Sequence, residues 1–321
     1  SGTVKIAFLE GTKTYNTGSK INYTYQGTSG TVTLSNKTGQ GNWNEHPAFN
    51  FGGKIISGIW VAKYETSYSN AGTDVDHIGL GNIKIQPNVI SIREFTVDSA
   101  FLKCQELNSA SKASVYGISS NKNIIDPHLM KNSEWGAVAY LTQSSYGRNG
   151  NEIAINSSYI TGQSGGTPDA GGYPIYEYIT PEGQKASTTG NVSGIYDMNG
   201  GLYEYVAAYV EGDSQLNIYS TLKGADSKYK DVYTRGSEDE KDGHYTVNSK
   251  VYGDASYEVS KGDSPNAWHY DDFHFPSYSK KPFFCRGGRY DGEEGSGIFN
   301  LESDNGEGGK YISFRPTLVV P

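Results

Sequence analysis

Only two cysteines, two methionines and six histidines occur among 321 residues, and 27 basic residues face 35 acidic ones. So few cysteines exclude the disulfide framework that staples small secreted domains; Cys104 and Cys285 allow one disulfide or two buried thiols. Neither paired C-x-x-C nor H-E-x-x-H occurs, so the strong zinc patterns are missing. A net charge of −8 argues against double-stranded nucleic acid and anionic membranes as partners. No apolar run reaches the roughly 20 residues that a membrane-spanning helix needs, so direct membrane insertion is not expected. No signal-peptide pattern opens the chain, and the initial Ser1-Gly2 leaves room for an upstream anchor or export signal.

What is abundant is glycine, with 41 residues, and tyrosine, with 26. Tyrosine gives large amphipathic contact area at low entropic cost, and small residues let loops adapt around it, as on recognition surfaces. A strand-rich extracellular domain draws on the same mixture, because tyrosine favours strands and glycine favours turns. The length suffices for a sizeable core.

Short runs rich in Thr, Ile, Val and Tyr over residues 2–35 predict strands and hairpins. A turn-rich patch near residue 40 divides the chain into a β-rich segment, 1–45, and a larger domain, 46–321. "IISGIWVAKYETS" (55–67) predicts a strand with Trp60, Ala62 and Tyr64 on one side and Ile59, Val61 and Lys63 on the other. Val97, Ala100, Phe101, Cys104 and Leu107 form a helical stripe capped by Thr96, which makes Cys104 a core thiol. A second helix carries Trp135, Val138 and Leu141 on one face, capped by Asn132 or Ser133. Residues 142–190 and 211–282 lack periodicity and predict long loops, which are often functional. Within the second, residues 264–278 crowd seven aromatic or imidazole rings, either as a loop-based core plug or as an exposed binding rim.

Catalytic signatures are scarce. His269 and His274 beside Asp271 and Asp272 fit no zinc spacing, and His77, His128 and His244 are scattered. There is no G-x-S-x-G elbow, dinucleotide fingerprint or phosphate loop. Glu204, among Tyr203, Tyr205 and Val206, reads as a structural anchor needing backbone N–H groups or an arginine, rather than a general acid. Asp291, Glu293, Glu294, Glu302, Asp304 and Glu307 are hard oxygen donors of the kind calcium takes, but without EF-hand order solvated loop tips explain them. No cofactor is expected beyond that open question of a structural calcium.

Four blocks occur in order: "SGIWVAKYETS" (57–67), "KNSEWGAVAYL" (131–141), "SGIYDMNGGLYEYV" (193–206) and "FFCRGGRYDGEEGSGIFN" followed by "YISFRP". Together they resemble the formylglycine-generating-enzyme-like branch of the C-type lectin fold over residues 46–321. The nearest likeness is to bacterial and phage surface proteins of that branch, including variable proteins diversified by retroelements. The resemblance implies an α+β C-type lectin fold with long irregular loops. It makes Trp60, Trp135, Glu204, Arg286, Gly287, Gly288, Phe314 and Arg315 structural anchors. Residues 286–316 become a display region whose ligand-contacting positions are Arg289, Tyr290, Asp291, Gly292, Ser296, Asn300, Ser303, Asp304, Asn305 and Tyr311.

Enzymes of that family carry a cysteine pair after R-G-G; no cysteine follows Gly288 here, so the resemblance implies a non-enzymatic protein. Its partner would be a protein or glycan on a target cell or particle, met at a cell surface, in secretion or on a virion tail. The alternative is a pilin-like or tail-associated structural component. Adenine-directed diversification of Asn codons is compatible with Arg289, Asp291, Gly292, Ser296, Asn300, Ser303, Asp304, Asn305 and Tyr311, whereas Glu293, Glu294, Glu302, Glu307 and Lys310 lie outside its products.

Overall fold

The structure is a computed structural model describing residues 6, 18, 20–25, 28–33, 45–68, 81–165, 175–234, 251–260, 266–276 and 280–321. The boundary drawn near residue 40, His77, His244 and the charged run 238–245 lie outside the described residues. In chain order, β1 (Lys20–Tyr25) pairs antiparallel with β2 (Thr28–Thr33), and β3 (Asn50–Phe51) with β4 (Lys54–Ile55). β5 (Ile59–Val61) follows, then β6 (Ser67–Tyr68) pairs with β7 (Ile83–Lys84). Next come α1 (Val97–Glu106), the one-turn α2 (Ala113–Tyr116), β8 (Asp126–Leu129) and α3 (Asn132–Gln143). β9 (Gln163–Gly165) pairs with β10 (Ile175–Glu177). The remaining elements are β11 (Tyr203–Val210), α4 (Thr221–Gly224), β12 (Asp231–Tyr233), β13 (Phe283–Arg286), β14 (Leu301–Asp304), β15 (Ile312–Phe314) and β16 (Pro316–Val319). The architecture is α+β.

β11 organises the molecule. One edge pairs with β13 antiparallel, and the other carries β15 and then β12, both parallel; β14 extends the sheet beyond β13. Its run "YEYVAAYV" is buried on both faces, as a central strand between two layers must be. Because successive side chains alternate, Tyr205, Ala207 and Tyr209 join one core with Val97, Ala100, Phe101 and Cys104 of α1. Val206, Ala208 and Val210 join the other with Trp135, Val138 and Ala139 of α3. A separate three-stranded sheet, β5-β16-β8, is antiparallel throughout.

α1 begins where Thr96 Oγ1 accepts the Ser99 N–H at 3.1 Å, and its stripe is buried. α3 departs from expectation at both ends. Glu134 closes the first turn by accepting the Lys131 N–H at 2.9 Å, while Asn132 turns inward to Tyr233 and Ser256. Leu141 is exposed, since the buried face is already filled by residues 132–139.

The run expected as one strand over 55–67 is broken into β4, β5 and β6. Trp60, assigned as a core anchor, is 70% exposed. β5 is an edge strand, and alternation sends Ile59 and Val61 toward the cores and Trp60 to the outer face. Tyr64, past the end of β5, turns back inward against Tyr196. Cys104 and Cys285 are free, fully buried thiols, and burial pushes both well above the ordinary thiol range.

Candidate functional site

Arg315 is the single residue between β15 and β16, so it stands where the chain passes from one sheet to the other. Its Nε and Nη2 donate to the two oxygens of Glu204 at 3.0 and 2.5 Å. Nη1 donates to the Ala62 carbonyl at 2.7 Å and Nη2 to Tyr196 at 2.9 Å. The guanidinium thereby ties β11, the chain beyond β5 and the loop before Gly200 to one point. Asp197 and Glu65 are buried beside it, giving three carboxylates around one cation. Burial, then Asp197 and Glu204, drive the Glu65 carboxyl well above its ordinary range. Burial also lifts Glu204, with Arg315 pulling the other way.

Arg286, the register partner of Glu204 on β13, is fully buried, and its Nη2 donates to the Ala255 carbonyl at 3.0 Å. Its guanidinium lies 5.8 Å from the Trp135 ring. Trp135 in turn donates from Nε1 to the Ile298 carbonyl at 2.7 Å, fastening α3 to the segment 286–316. Gly288 then turns the chain with φ +73; a Cβ there would lie 2.5 Å from Ser296 Cα, so no side chain fits.

The loop that follows is closed on itself. Ser296 Oγ accepts the Arg289 N–H at 3.1 Å and donates to the Arg289 carbonyl at 2.6 Å. Arg289 Nε meets Asp291 Oδ1 at 2.7 Å, and a 3-10 turn spans Glu293–Gly295. Tyr290 donates its backbone N–H to Gly201 at 2.8 Å. Its ring sits between Tyr159 at 5.7 Å and Tyr311 at 5.9 Å, a row of three half-buried tyrosines. Cations flank the row: Arg93 lies 5.1 Å from the Tyr159 ring centre, and Arg289 and Lys310 lie 4.6 and 4.7 Å from that of Tyr311. Arg93 and Tyr159 went unnoticed in the sequence, because they belong to irregular segments far from residue 290.

Not all display positions are on display. Ser296, Asn300 and Ser303 are buried. Ser296 closes the loop, Asn300 donates to the Gly295 carbonyl at 2.8 Å, and Ser303 falls on the inward side of β14 with Leu301. Asp304 accepts the Tyr205 hydroxyl and the Gly306 N–H, the latter at 2.7 Å. Asn305 accepts the Glu307 N–H at 2.9 Å, an Asx turn. Arg289, Tyr290, Asp291, Gly292 and Tyr311 remain at least partly exposed. Phe314 is buried in the α1-side core.

The acids considered for calcium point to other partners: Asp291 to Arg289, Asp304 to Tyr205, and Glu302 to His274 at 3.2 Å. Among the described residues no three His, Cys, Asp or Glu side chains converge as a metal site requires. The aromatic-rich segment 264–278 divides between its two readings. Phe273 and Phe275 are core, whereas Trp268 is 42% and Tyr270 68% exposed.

No family model matches the chain, and no curated protein matches it.

Proposed function

We propose that this chain is a non-enzymatic ligand-binding protein of receptor or adhesion type, displaying side chains from a C-type-lectin-like scaffold. The observation that carries the reading is the row Tyr159, Tyr290 and Tyr311, half-exposed and flanked by Arg93, Arg289 and Lys310, with Tyr290 on a loop pinned by Ser296. Tyrosine and arginine are the residues that dominate protein recognition surfaces, and a rigid backbone beneath them lowers the ordering cost of binding. Burial of both thiols, with their ionisation suppressed, speaks against a cysteine-based oxidase.

The partner is a protein or glycan on a cell or particle, and the setting a cell surface, a secreted form or a virion tail. Membership among the retroelement-diversified variable proteins is the finer part of the proposal. A near-copy of the DNA encoding residues 286–316, differing at adenines and beside a reverse transcriptase gene, tests it. The binding reading is tested by flow cytometry of the labelled protein on a panel of bacterial cells. Y159A/Y290A/Y311A loses the cells that wild type labels while its melting temperature holds. Undiminished labelling, or a collapse in melting temperature, overturns the reading.

A second reading, a structural component packed against neighbouring subunits, draws on Trp60, which stands 70% exposed on an edge strand. It expects a stable oligomer by size exclusion with light scattering that W60S dissociates.

A further inference from the structure

The segment from Asn266 to Asp272 holds its aromatic rings in an arrangement that the tyrosine row does not use. Trp268 and His269 are nearly parallel, 7° apart with centres at 5.2 Å. Phe299 lies parallel to both within 24°, its centre 5.1 Å from Trp268 and 6.0 Å from His269. Phe299 is fully buried and Trp268 is 42% exposed, so the stack runs from core to surface.

The backbone that presents these rings is strained. His269 and Tyr270 are consecutive non-glycine residues with φ +63 and +71. Such conformations are costly for residues with a side chain and persist only where the surroundings enforce them. Here the enforcement is visible. Ala267 donates its N–H to the Asp271 carbonyl at 2.7 Å, and Asp272 donates to Gly295 at 2.8 Å. The Phe299 N–H is held by Asp271 Oδ2 at 2.8 Å. His269 Nε2 stands 3.2 Å from the Gln143 side-chain oxygen. The result keeps Tyr270, two residues on from Trp268, exposed, with the half-exposed carboxylate of Asp272 on the same loop and the exposed Glu293 and Glu294 on the turn whose Gly295 carbonyl accepts the Asp272 N–H.

We propose that Trp268 and Tyr270 form a stacking platform for a pyranose ring of an uncharged glycan, with Asp272 accepting hydrogen bonds from its hydroxyls. A flat, open ring stack matches the apolar C–H face of a sugar, whereas a quaternary ammonium calls for rings enclosing it on several sides. Carboxylates accept from sugar hydroxyls and repel the phosphates of nucleotides and the carboxylates of acidic sugars. A loop ordered before binding suits a ligand that offers few contacts per ring. The platform shares no residue with the tyrosine row and does not depend on that row binding anything.

The test is an array of neutral oligosaccharides of glucose, galactose, mannose and N-acetylglucosamine, followed by a tryptophan-fluorescence titration with the captured sugar. Wild type is expected to bind at least one neutral oligosaccharide. W268A weakens it at least tenfold, and Y290A/Y311A leaves it within about twofold. W268F keeps contact with Phe299 but offers a smaller face; it weakens binding severalfold and abolishes the fluorescence signal, even if W268A does not fold. Failure of folded wild type to bind any neutral sugar overturns the platform. So does W268F binding like wild type, capture of cationic or acidic probes in place of neutral ones, or loss with Y290A/Y311A alone.

Discussion

Arg315 grips Glu204 with two nitrogens across 111 residues of sequence, both groups fully buried, at the one residue that joins the two sheets. Removing either partner strands a charge in the interior, which typically costs about 3–5 kcal/mol. The two removals are not equivalent. Without Glu204, Asp197 and Glu65 still face the guanidinium; without Arg315, three carboxylates face one another. R315M is therefore expected to lower the melting temperature more than E204Q does, and E204L/R315M less than R315M alone. Calorimetry of the three variants checks the order.

The two tryptophans assigned as anchors separate cleanly. W135A removes a fully buried ring and unpairs the Ile298 carbonyl, so a loss of about 3–5 kcal/mol is expected. W60S alters an exposed edge-strand residue, and a change within about 0.5 kcal/mol is expected. Urea denaturation of both reads the difference directly.

Two buried groups give stability pH slopes of opposite sign over identifiable windows. His46 accepts the Ala48 N–H at 3.2 Å on Nδ1, so it donates from Nε2 to the Gly253 carbonyl at 2.7 Å as a neutral ring. Burial lowers it from 6.5 to about 4. Its contribution is present above 6.5 and lost as pH falls through 4. Asp271 is raised by burial from 3.8 to about 8. The folded state holds that proton more tightly, so its contribution is full below 3.8 and lost as pH rises through 8. H46Q should remove the part of a melting-temperature profile that rises from about pH 4 to 6.5, and D271N the part that falls from 3.8 to about 8.

Local periodicity made α1 legible: a 3.6-residue stripe with a Thr cap needs no distant partner to be recognised. Alternation over 55–67 supposed one continuous strand; the chain breaks after β5, so Trp60 faces out while Tyr64 turns inward, and the anchor role of Trp60 rested on the resemblance alone. The display segment read as interleaved polar and apolar residues. Ser296, Asn300 and Ser303 are polar yet buried, because a tight loop and an inward strand position supply their hydrogen bonds. The acceptor of Arg315 and the neighbours of Tyr290 come from segments far away in sequence, which one sequence does not pair.

Ser296 offers a way to separate the rigidity of the proposed binding loop from its chemistry. Its hydroxyl both accepts from and donates to Arg289, closing residues 289–296 without itself reaching solvent. S296A removes both bonds and leaves the Arg289 backbone groups less well paired, a cost of about 1–3 kcal/mol. G288A goes further, since the left-handed turn admits no side chain and Ser296 stands in the way. Both variants keep Tyr159, Tyr290 and Tyr311. If the tyrosine row binds through a pre-formed loop, each weakens cell labelling mainly by slowing association or raising the ordering cost, with G288A the weaker binder. Labelling measured against concentration, with hydrogen exchange of the Arg289 and Tyr290 amides, tests this. Faster exchange with unchanged labelling would show that the loop's closure serves the fold and not recognition.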